Sequence, residues 1–331
     1  MCYRINSGVF YKMTNANDKT VLVTGGAGFI GFHLTMRLHQ SGYKVKVFDN
    51  LYRAKKSTVE ELKSLNGVEF IEGDIRYLDQ LNRAMQGVDY VFHQAAVCIN
   101  KSLATPAESS EINFTGSINV FDACVENNIK KLIFASSASV YGEPRKLPMQ
   151  EDDKLYPITP YCISKAAVEC FADFYSKTHN LDYIGLRYFN VYGPRQPVDA
   201  FYTNVVVLFV KRILNGEAPI IKGTGNQSMD FIHVDDIVES NIAALESDTK
   251  NEIFNVGSQK STTVKDLAYI LLKAMGREDL DPVFSGDEAM VSKRQADISK
   301  IKSLLNWKPK KNTEDGLSEV GTDIMNFPEK Y

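Results

Sequence analysis

The chain has 331 residues, of which 44% are hydrophobic and 24% charged, and its formal net charge is −3. This is an ordinary globular composition, and the length suggests two packed units rather than one. The slight acidity argues against a nucleic-acid partner, and no apolar stretch approaches the ~20 residues of a membrane span, so we expect no membrane partner.

Residues 1–19 lack the apolar run that a signal peptide needs, so we expect an N-terminal extension there, with Met13 as an alternative start. The five cysteines include no C-x-x-C pair, and the histidines show no metal-ligand spacing. We therefore expect neither a disulfide framework nor a metal, and a reducing, cytoplasmic location fits best.

From residue 20 to about 187, short apolar runs alternate with longer helical patterns. The predicted strands are 20–24, 44–49, 68–72, 90–93, 132–136 and 183–187, and the main predicted helices between them are 30–40, 78–85, 113–127 and 161–177. Continuously apolar runs are typical of parallel strands buried on both faces. The alternation predicts an α/β fold with a doubly wound parallel sheet.

After Gly193 this alternation ends. The pattern predicts helices 204–214, 234–246, 264–275 and, as the last one, 299–305, with a short strand at 219–222. We predict a dinucleotide-binding domain over residues 20–190 and a smaller α/β region, mainly for substrate binding, over 191–331. A run at 253–256 suggests that the chain crosses back to the sheet.

The first strand leads directly into Gly25-Gly26-Ala27-Gly28-Phe29-Ile30-Gly31, where a helix begins. Glycines in this pattern make a tight turn and let backbone N–H groups approach a pyrophosphate. The helix N-terminus adds partial positive charge. A purely structural turn is the alternative, but its place between a strand and a helix favours a dinucleotide site.

Asp49 ends the second strand, and Asn50 follows it. A carboxylate at this position accepts hydrogen bonds from the adenosine ribose and repels a 2′-phosphate, which predicts NAD rather than NADP. Arg53 could hold such a phosphate, so NADP remains an alternative.

Tyr161 and Lys165 are four residues apart, which places them on one face of a helix. A phenol has an unperturbed pKa of ~10, and a nearby ammonium and an oxidised nicotinamide both favour the phenolate, so Tyr161 can serve as a base. Alone, Y-x-x-x-K is a weak signal in a chain with 16 tyrosines. Its position after the fifth strand makes it informative.

The fifth strand ends in a serine-rich segment that contains Ser136, Ser137 and Ser139. The carboxyl end of a parallel strand opens on the ligand crevice, so Ser137 and Ser139 could hydrogen-bond a substrate hydroxyl. A serine loop that caps itself is the structural alternative.

Taken together, these residues resemble an extended short-chain dehydrogenase/reductase, specifically the NAD-dependent epimerase/dehydratase family of nucleotide-sugar enzymes. The resemblance covers residues 20–309 and rests on the motifs at 25–31, 73–75, 93–96, 113–116, 136–142, 161–165 and 187–193. It implies a UDP-sugar or similar substrate, a bound NAD regenerated in each turnover, and Ser137, Tyr161 and Lys165 as the catalytic triad. It also implies a homodimer formed through a bundle of helices 113–127 and 161–177.

The resemblance assigns further residues to the cofactor. Asp74 and Ile75 are expected beside the adenine, and Ala95 along the pyrophosphate or ribose. Asn113 is expected to support the strand edge near the cofactor, and Tyr188 to pack near the nicotinamide. The glycine-turn residues, Asp49, Asn50 and Ser136 complete this set. Asp74 could instead be a helix N-cap, and Tyr188 an ordinary buried aromatic.

For the substrate, the resemblance implies a hydrogen bond from Asn190 near the diphosphate. It also implies that the backbone around Ile220 and Lys222 holds the uracil. The family usually carries an arginine where Met229 stands, and a second one near Asp287, both for the diphosphate. Neither is present here.

A diphosphate needs a cationic partner, and Arg195, Lys293 and Arg294 are the candidates, with Arg294 the strongest. Arg294 also falls near the position that gates the 2-substituent of the sugar.

The resemblance also implies a first step shared across the family, oxidation at C4 to a transient 4-keto sugar. Dehydratases then use a carboxyl pair next to the catalytic serine or threonine, where this chain has Ala138 and Ser139. Neither side chain can act as a carboxylic acid, which favours epimerisation at C4.

We therefore predict a UDP-sugar 4-epimerase, with UDP-GlcNAc/UDP-GalNAc ahead of UDP-Glc/UDP-Gal. UDP-glucuronate 4-epimerase, nucleotide-sugar dehydratase and a non-catalytic nucleotide-binding protein are the alternatives.

Overall fold

The computed structural model describes residues 18–197, 205–286 and 293–327, so residues 1–17 of the predicted extension lie outside it. The strands, numbered along the chain, are β1 Thr20–Thr24, β2 Lys44–Asp49, β3 Val68–Glu72, β4 Tyr90–His93, β5 Lys131–Ser137, β6 Tyr183–Tyr188, β7 Asn190–Tyr192, β8 Ile220–Lys222, β9 Ser228–His233, β10 Glu252–Val256, β11 Ser261–Thr263 and β12 Val283–Ser285. The α-helices are α1 Phe29–Gln40, α2 Lys56–Lys63, α3 Leu78–Met85, α4 Ile99–Ala104, α5 Pro106–Ser110, α6 Gly116–Glu126, α7 Pro160–His179, α8 Val205–Leu214, α9 Val234–Glu246, α10 Val264–Ala274, α11 Ser299–Leu305 and α12 Thr313–Asn326.

Seven strands form a central parallel sheet in the order β10-β6-β5-β4-β1-β2-β3. Apolar side chains of α1 and α9 pack on one face, and those of α3, α6 and α7 on the other. Both faces are therefore covered, which explains why β1 is buried at four of its five positions. This arrangement confirms the predicted doubly wound α/β fold.

The strand order reverses beside β1, where β2 lies on one side and β4 on the other. The crossover connections leave the sheet in opposite directions at this point, so a crevice opens above the carboxyl ends of β1 and β4. The glycine turn follows β1 directly, and the crevice is therefore the expected place for a ligand.

The C-terminal part of the chain adds two small sheets, β11-β9-β7 and β12-β8. A separate apolar core lies among α8, α10 and α12, with Leu267 and Leu317 fully buried. Between these elements β10 pairs with β6 at the edge of the large sheet. The division of the chain at residue 190 remains a prediction.

The first four strands have the predicted bounds, whereas two helical predictions need correction. The helix predicted over 113–127 begins instead with a π-helical turn, Glu111–Thr115, before α6. The helix at Ser299–Leu305 is not the last one, because α12 follows it. Residue 204 of the helix predicted at 204–214 lies outside the described ranges.

Candidate active site

A cleft of about 610 Å³ lies along the carboxyl ends of the central strands. Its lining includes fifteen of the predicted site residues: Gly25, Gly28, Phe29, Ile30, Gly31, Asp49, Asn50, Ile75, Ala95, Ser136, Ser137, Tyr161, Lys165, Tyr188 and Asn190. The predicted residues that do not line it are Asp74, Asn113, Ser139, Ile220, Lys222 and Arg294. The cleft thus brings together the residues predicted for the cofactor and those predicted for the chemistry.

The glycine turn joins β1 to α1 at one wall of the cleft. Gly28 is the N-cap of α1 and donates its N–H to the carbonyl of Gly25 at 3.0 Å. A Cβ on Gly31 would overlap the Gly25 carbonyl oxygen, so the close approach of helix to strand requires glycine. The first turn of α1 therefore points its N–H groups at the cleft, an arrangement that suits a pyrophosphate.

Asp49 lies at the end of β2 and is mostly buried. One carboxylate oxygen accepts the N–H of Ala27 at 3.0 Å, and the other accepts the N–H of Leu51 at 2.9 Å. Burial raises the pKa of Asp49, and these two hydrogen bonds work against that rise. Each oxygen keeps a second lone pair, so the carboxylate can still accept ribose hydroxyls.

Asp74 and Asn113 do not line the cleft, but both form hydrogen bonds with residues that do. The Asp74 carboxylate accepts Arg76 Nε at 3.0 Å and Nη2 at 2.8 Å, and also Asn50 Nδ2 at 2.9 Å. Partial burial opposes ionisation, but these bonds hold the pKa of Asp74 below its usual range. Asn113 bonds both the N–H and the carbonyl of Val97, which lines the cleft. Both residues therefore fix the positions of their neighbours.

Tyr161 and Lys165 lie on the first turns of α7, and Ser137 ends β5. The helix begins at Pro160, and its N-cap Thr159 accepts the N–H of Cys162 at 3.2 Å. Lys165 Nζ donates to the Ala135 carbonyl at 2.7 Å and lies 5.9 Å from the centre of the Tyr161 ring. Burial lowers the pKa of Lys165 to about 8, although the charge of Glu169 acts in the opposite direction.

The segment after β5 forms a short 3₁₀ helix, Ala138–Tyr141. Ser139 donates from its Oγ to Ser137 Oγ at 2.8 Å and from its backbone N–H to the same atom at 3.2 Å. Ala138 is buried. Ser139 therefore contacts Ser137 directly and lies behind it.

Arg294 lies on the far side of the same segment. It donates to the carbonyl of Ala138 at 3.2 Å and to that of Gly142 at 3.0 Å. Its guanidinium thus bonds the backbone that carries the serines. Ile220 and Lys222 lie in β8, paired with β12, and Met229 lies in β9. Asp287 is outside the described residues.

Besides Lys165, four basic residues line the cleft, namely Arg53, Lys55, Arg76 and Arg195. Arg195 Nη2 donates to Glu61 at 2.6 Å, and the guanidinium lies 4.0 Å from the centre of the Phe32 ring. Lys293, the remaining candidate, is exposed and does not line the cleft. Arg195 is therefore the sequence-predicted diphosphate candidate that reaches the cleft.

Sequence reasoning missed the buried polar residues around the triad. Glu169 and Arg187 form a bidentate ion pair under the end of β5. Tyr188 accepts a hydrogen bond from Asn241 at 2.8 Å and donates to Gln94 at 3.3 Å, while burial raises its pKa to about 12. Glu169 does lie one helical turn beyond Lys165 on the same face, but this spacing alone does not distinguish a buried acid from a solvated one.

The fold and the cleft define a dinucleotide-binding α/β protein. Comparison with known proteins narrows the class, because the model of the NAD dependent epimerase/dehydratase family matches residues 21–257. The chain therefore belongs to that family, and its cofactor is NAD. Among the described residues, no helix is both long and apolar enough to cross a membrane.

Three similar proteins illustrate the range of relatives. A UDP-N-acetylglucosamine 4-epimerase from Methanobrevibacter ruminantium M1, solved with UDP-N-acetylmuramic acid, is 37% identical with a TM-score of 0.88, covering 94% of this chain and 99% of that one. A UDP-glucose 4-epimerase from Thermotoga maritima, solved with UDP-glucose, is 35% identical with a TM-score of 0.86, covering 93% and 99%. A UDP-glucuronate 4-epimerase from Thermodesulfobacterium geofontis is 33% identical over 90% of this chain and 94% of its own. All three are isomerases, which confirms the predicted enzyme class. Their names give three different UDP-sugars as substrates.

Proposed function

We propose that this chain interconverts UDP-GlcNAc and UDP-GalNAc by epimerisation at C4, with UDP-Glc and UDP-Gal as the second candidate pair. The observation that carries the proposal is the identity of the two residues that follow Ser137. Ala138 is buried and apolar, and Ser139 bonds Ser137. No carboxyl group stands at either position, so an elimination from the 4-keto sugar lacks its general acid.

Each residue of the triad has a chemical task in this proposal. The Tyr161 phenolate takes the proton of the 4-hydroxyl, and the Lys165 ammonium stabilises that phenolate. Ser137 donates a hydrogen bond to the same sugar oxygen, because its Oγ already accepts from Ser139 and has its own proton to give. NAD, when bound, supplies the oxidising power at C4. The residues that would bind NAD are those of the glycine turn, Asp49 and the residues around Ile75 and Tyr188.

Epimerisation requires the 4-keto sugar to present its other face before reduction. Ser137, the one residue of 137–139 that lines the cleft, has a small side chain and leaves space for this rotation, whereas a bulky or charged one would fix the sugar. Return of the proton from Tyr161 completes the cycle without net oxidation.

The UDP-glucuronate alternative depends on a cation beside the sugar. Arg294 donates to the backbone carbonyls of Ala138 and Gly142 and does not line the cleft. This orientation favours a neutral sugar over a uronate. A non-catalytic protein is disfavoured because Ser137, Tyr161 and Lys165 line one cleft.

The residues that we assign to the nucleotide part of the substrate lie partly inside and partly outside the cleft lining. Asn190 lines the cleft and donates to the carbonyl of Asp230 at 3.3 Å. Arg195 is the proposed diphosphate partner, since its guanidinium is in the cleft wall. The assignment of uracil to the backbone of Ile220 and Lys222 stays a prediction.

We also propose a homodimer in which α7 packs against a second copy of the chain. Ile163, Phe171 and Phe174 on α7 are exposed by 53%, 37% and 49%. Phe114 stacks edge-on against Phe171 at 5.3 Å, so the apolar surface continues beyond one helix. Exposed aromatic groups of this kind are typical of protein interfaces. Light scattering of the wild type and of Phe174→Glu tests this proposal, with monomers expected only for the variant.

The cytoplasmic location belongs to the proposal as well. Among the described residues, no disulfide links Cys98, Cys124, Cys162 or Cys170, which suits a reducing compartment.

The experiment that tests the proposed function is incubation with UDP-GlcNAc, UDP-Glc and UDP-glucuronate in turn, followed by identification of the products. We expect the 4-epimer to form from UDP-GlcNAc with the highest rate. A stable 4-keto-6-deoxy sugar, or carbon dioxide from UDP-glucuronate, would overturn the proposal.

A further inference from the structure

Lys165 is surrounded by few ionisable groups, and they approach it from three elements. Tyr161 and Glu169 share α7 with it, one turn before and one turn after. His93 approaches from β4, and Arg187 from β6 through its ion pair with Glu169. Burial, and secondarily the charge of Lys165, lower the pKa of His93 to about 3, so that this imidazole is neutral. Glu169 is thus the anion acting on Lys165 among the described residues.

Glu169 is 7% exposed, which is unusual for a helical acid. One of its oxygens accepts Ser136 Oγ and Arg187 Nε, the latter at 2.9 Å, and the other accepts Arg187 Nη2 at 2.7 Å. Ser136 immediately precedes Ser137, and it lies opposite Arg187 in the register of β5 and β6. The carboxylate therefore joins α7 to the ends of both strands.

The contacts continue beyond the ion pair. Arg187 Nη1 donates to Tyr141 Oη at 2.7 Å and to the Glu151 carbonyl at 3.0 Å. Tyr141 in turn donates to Asn255 Oδ1 at 2.7 Å. Because Tyr141 ends the 3₁₀ helix after Ser137, one buried network holds every element that presents a triad side chain.

We infer that Glu169 is a positioning residue of the active site: its buried carboxylate, one helical turn beyond Lys165, favours the charged form of that side chain and fixes the strand end that carries Ser137. This inference rests on the proposed roles of Tyr161 and Lys165. Its physical basis is simple: an isolated buried ammonium tends to lose its proton, and an anion one helical turn away opposes that loss.

The test is a titration of Lys165 that does not depend on activity. Protein is labelled with lysine carrying carbon-13, and the Cε resonance of Lys165 is assigned with the variant Lys165→Met. Glu169→Gln keeps the shape and hydrogen-bonding capacity of the side chain but removes its charge. We expect the titration midpoint of Lys165 to fall by about 0.5 pH unit or more. Asp173→Asn is the matched control, because Asp173 is an exposed acid on the same helix, paired with Lys177.

Glu169→Gln leaves Arg187 as an unpaired buried charge, which lowers stability. Glu169→Gln/Arg187→Gln removes both charges and is the second variant if the first folds poorly. A downward shift is again expected, smaller than in Glu169→Gln, because removal of the Arg187 cation takes away a charge that disfavours protonation of Lys165. A midpoint equal to that of the wild type in a folded variant overturns the inference.

The kinetic readout separates this inference from the proposed function. In Glu169→Gln the alkaline limb of the kcat profile should move to lower pH, with KM little changed. A lower kcat with an unmoved limb would mean a purely structural role for Glu169. Absence of epimerisation in the wild type would refute the proposed function, while the titration of Lys165 would still decide the role of Glu169.

Discussion

Ser139 donates a hydrogen bond from its Oγ to the Oγ of Ser137, 2.8 Å away. Ser139 stands at one of the two positions next to the catalytic hydroxyl where the family resemblance places the carboxyl groups of a dehydratase. In this chain the second hydroxyl orients the first, so the local chemistry favours hydrogen bonding to a substrate oxygen over proton donation to a leaving group.

This relationship predicts the effect of Ser139→Ala. Without the Ser139 hydroxyl, only the backbone N–H of residue 139, at 3.2 Å, orients Ser137 Oγ, and we expect kcat to fall about 10-fold with KM little changed. Steady-state kinetics of epimerisation measure the change. Ser303→Ala, an exposed serine on α11, is the control and should match the wild type. An unchanged kcat in Ser139→Ala would show that Ser137 does not need the Ser139 hydroxyl.

Tyr161→Phe removes the ionisable oxygen but keeps the ring. We expect turnover to fall by at least ~10²-fold, the usual scale for a positioned acid–base group, with NAD still bound. Cofactor content after purification and the rate of epimerisation are the two measurements. Tyr269→Phe, at an exposed tyrosine of α10, provides the control. Near wild-type activity in the Tyr161 variant would exclude this residue as the base.

Replacement of Asp49 should change the choice of cofactor. Asp49→Ala removes the ribose acceptor and also the partner of the Ala27 N–H, so NAD binding should weaken by about 10-fold or more. Asp49→Arg should shift preference towards NADP, because a cation replaces the charge that repels a 2′-phosphate. Binding of both cofactors is measured by calorimetry on cofactor-free protein. Tighter binding of NADP than NAD by the wild type would contradict the role given to Asp49.

The buried histidines predict how stability depends on pH. Burial lowers the pKa of His93 and of His233 to about 3, with nearby lysines contributing, whereas the unfolded value is 6.5. As pH falls below 6.5 the unfolded chain binds protons that the folded chain does not, so stability is lost. Each histidine costs about 2 kcal/mol between pH 6.5 and pH 5.

Urea unfolding at pH 7 and at pH 5 measures this loss. His93→Gln should reduce the difference between the two midpoints, since Gln can replace the hydrogen bonds to Thr24 and Ser117 without titrating. His179→Gln, at an exposed histidine, should leave the difference unchanged. Equal differences in all three proteins would mean that the pKa of His93 is the same in the folded and the unfolded chain.

The central sheet could be predicted from the sequence because its strands are buried on both faces. A continuous apolar run such as β1, repeated between helical patterns, is typical of a parallel strand that helices cover on both sides. The glycine turn was equally predictable, since Gly31 must approach the Gly25 carbonyl more closely than any side chain permits.

The C-terminal region was less predictable, for physical reasons. The strands β7, β8, β11 and β12 have three residues each, too few for a period of two to be visible. Helix α12 contains Gly316 and Gly321, which weaken its helical pattern. Gly316 faces the Tyr192 hydroxyl so closely that a Cβ would overlap it. Tertiary packing, which sequence patterns do not express, selects glycine there.

The same limit applies to two charged residues near the triad. The sequence predicts Arg294 at the substrate, but its guanidinium bonds the backbone behind Ser137. Most helical acids are solvated, and the spacing of Glu169 does not set it apart from them, yet it lies in the core with Arg187. Whether a charge faces a ligand or the backbone depends on the tertiary arrangement, and the spacing of residues does not reveal it.

The proposed reaction interconverts C4 epimers with no net oxidation. The most direct measurement starts separate reactions from UDP-GlcNAc and from UDP-GalNAc, without added reductant, and follows both by proton NMR until they stop changing. We predict that the two reactions reach the same mixture of both sugars, with no other product. Two mixtures that stay different, or a product that is not a C4 epimer of the starting sugar, would contradict this reaction.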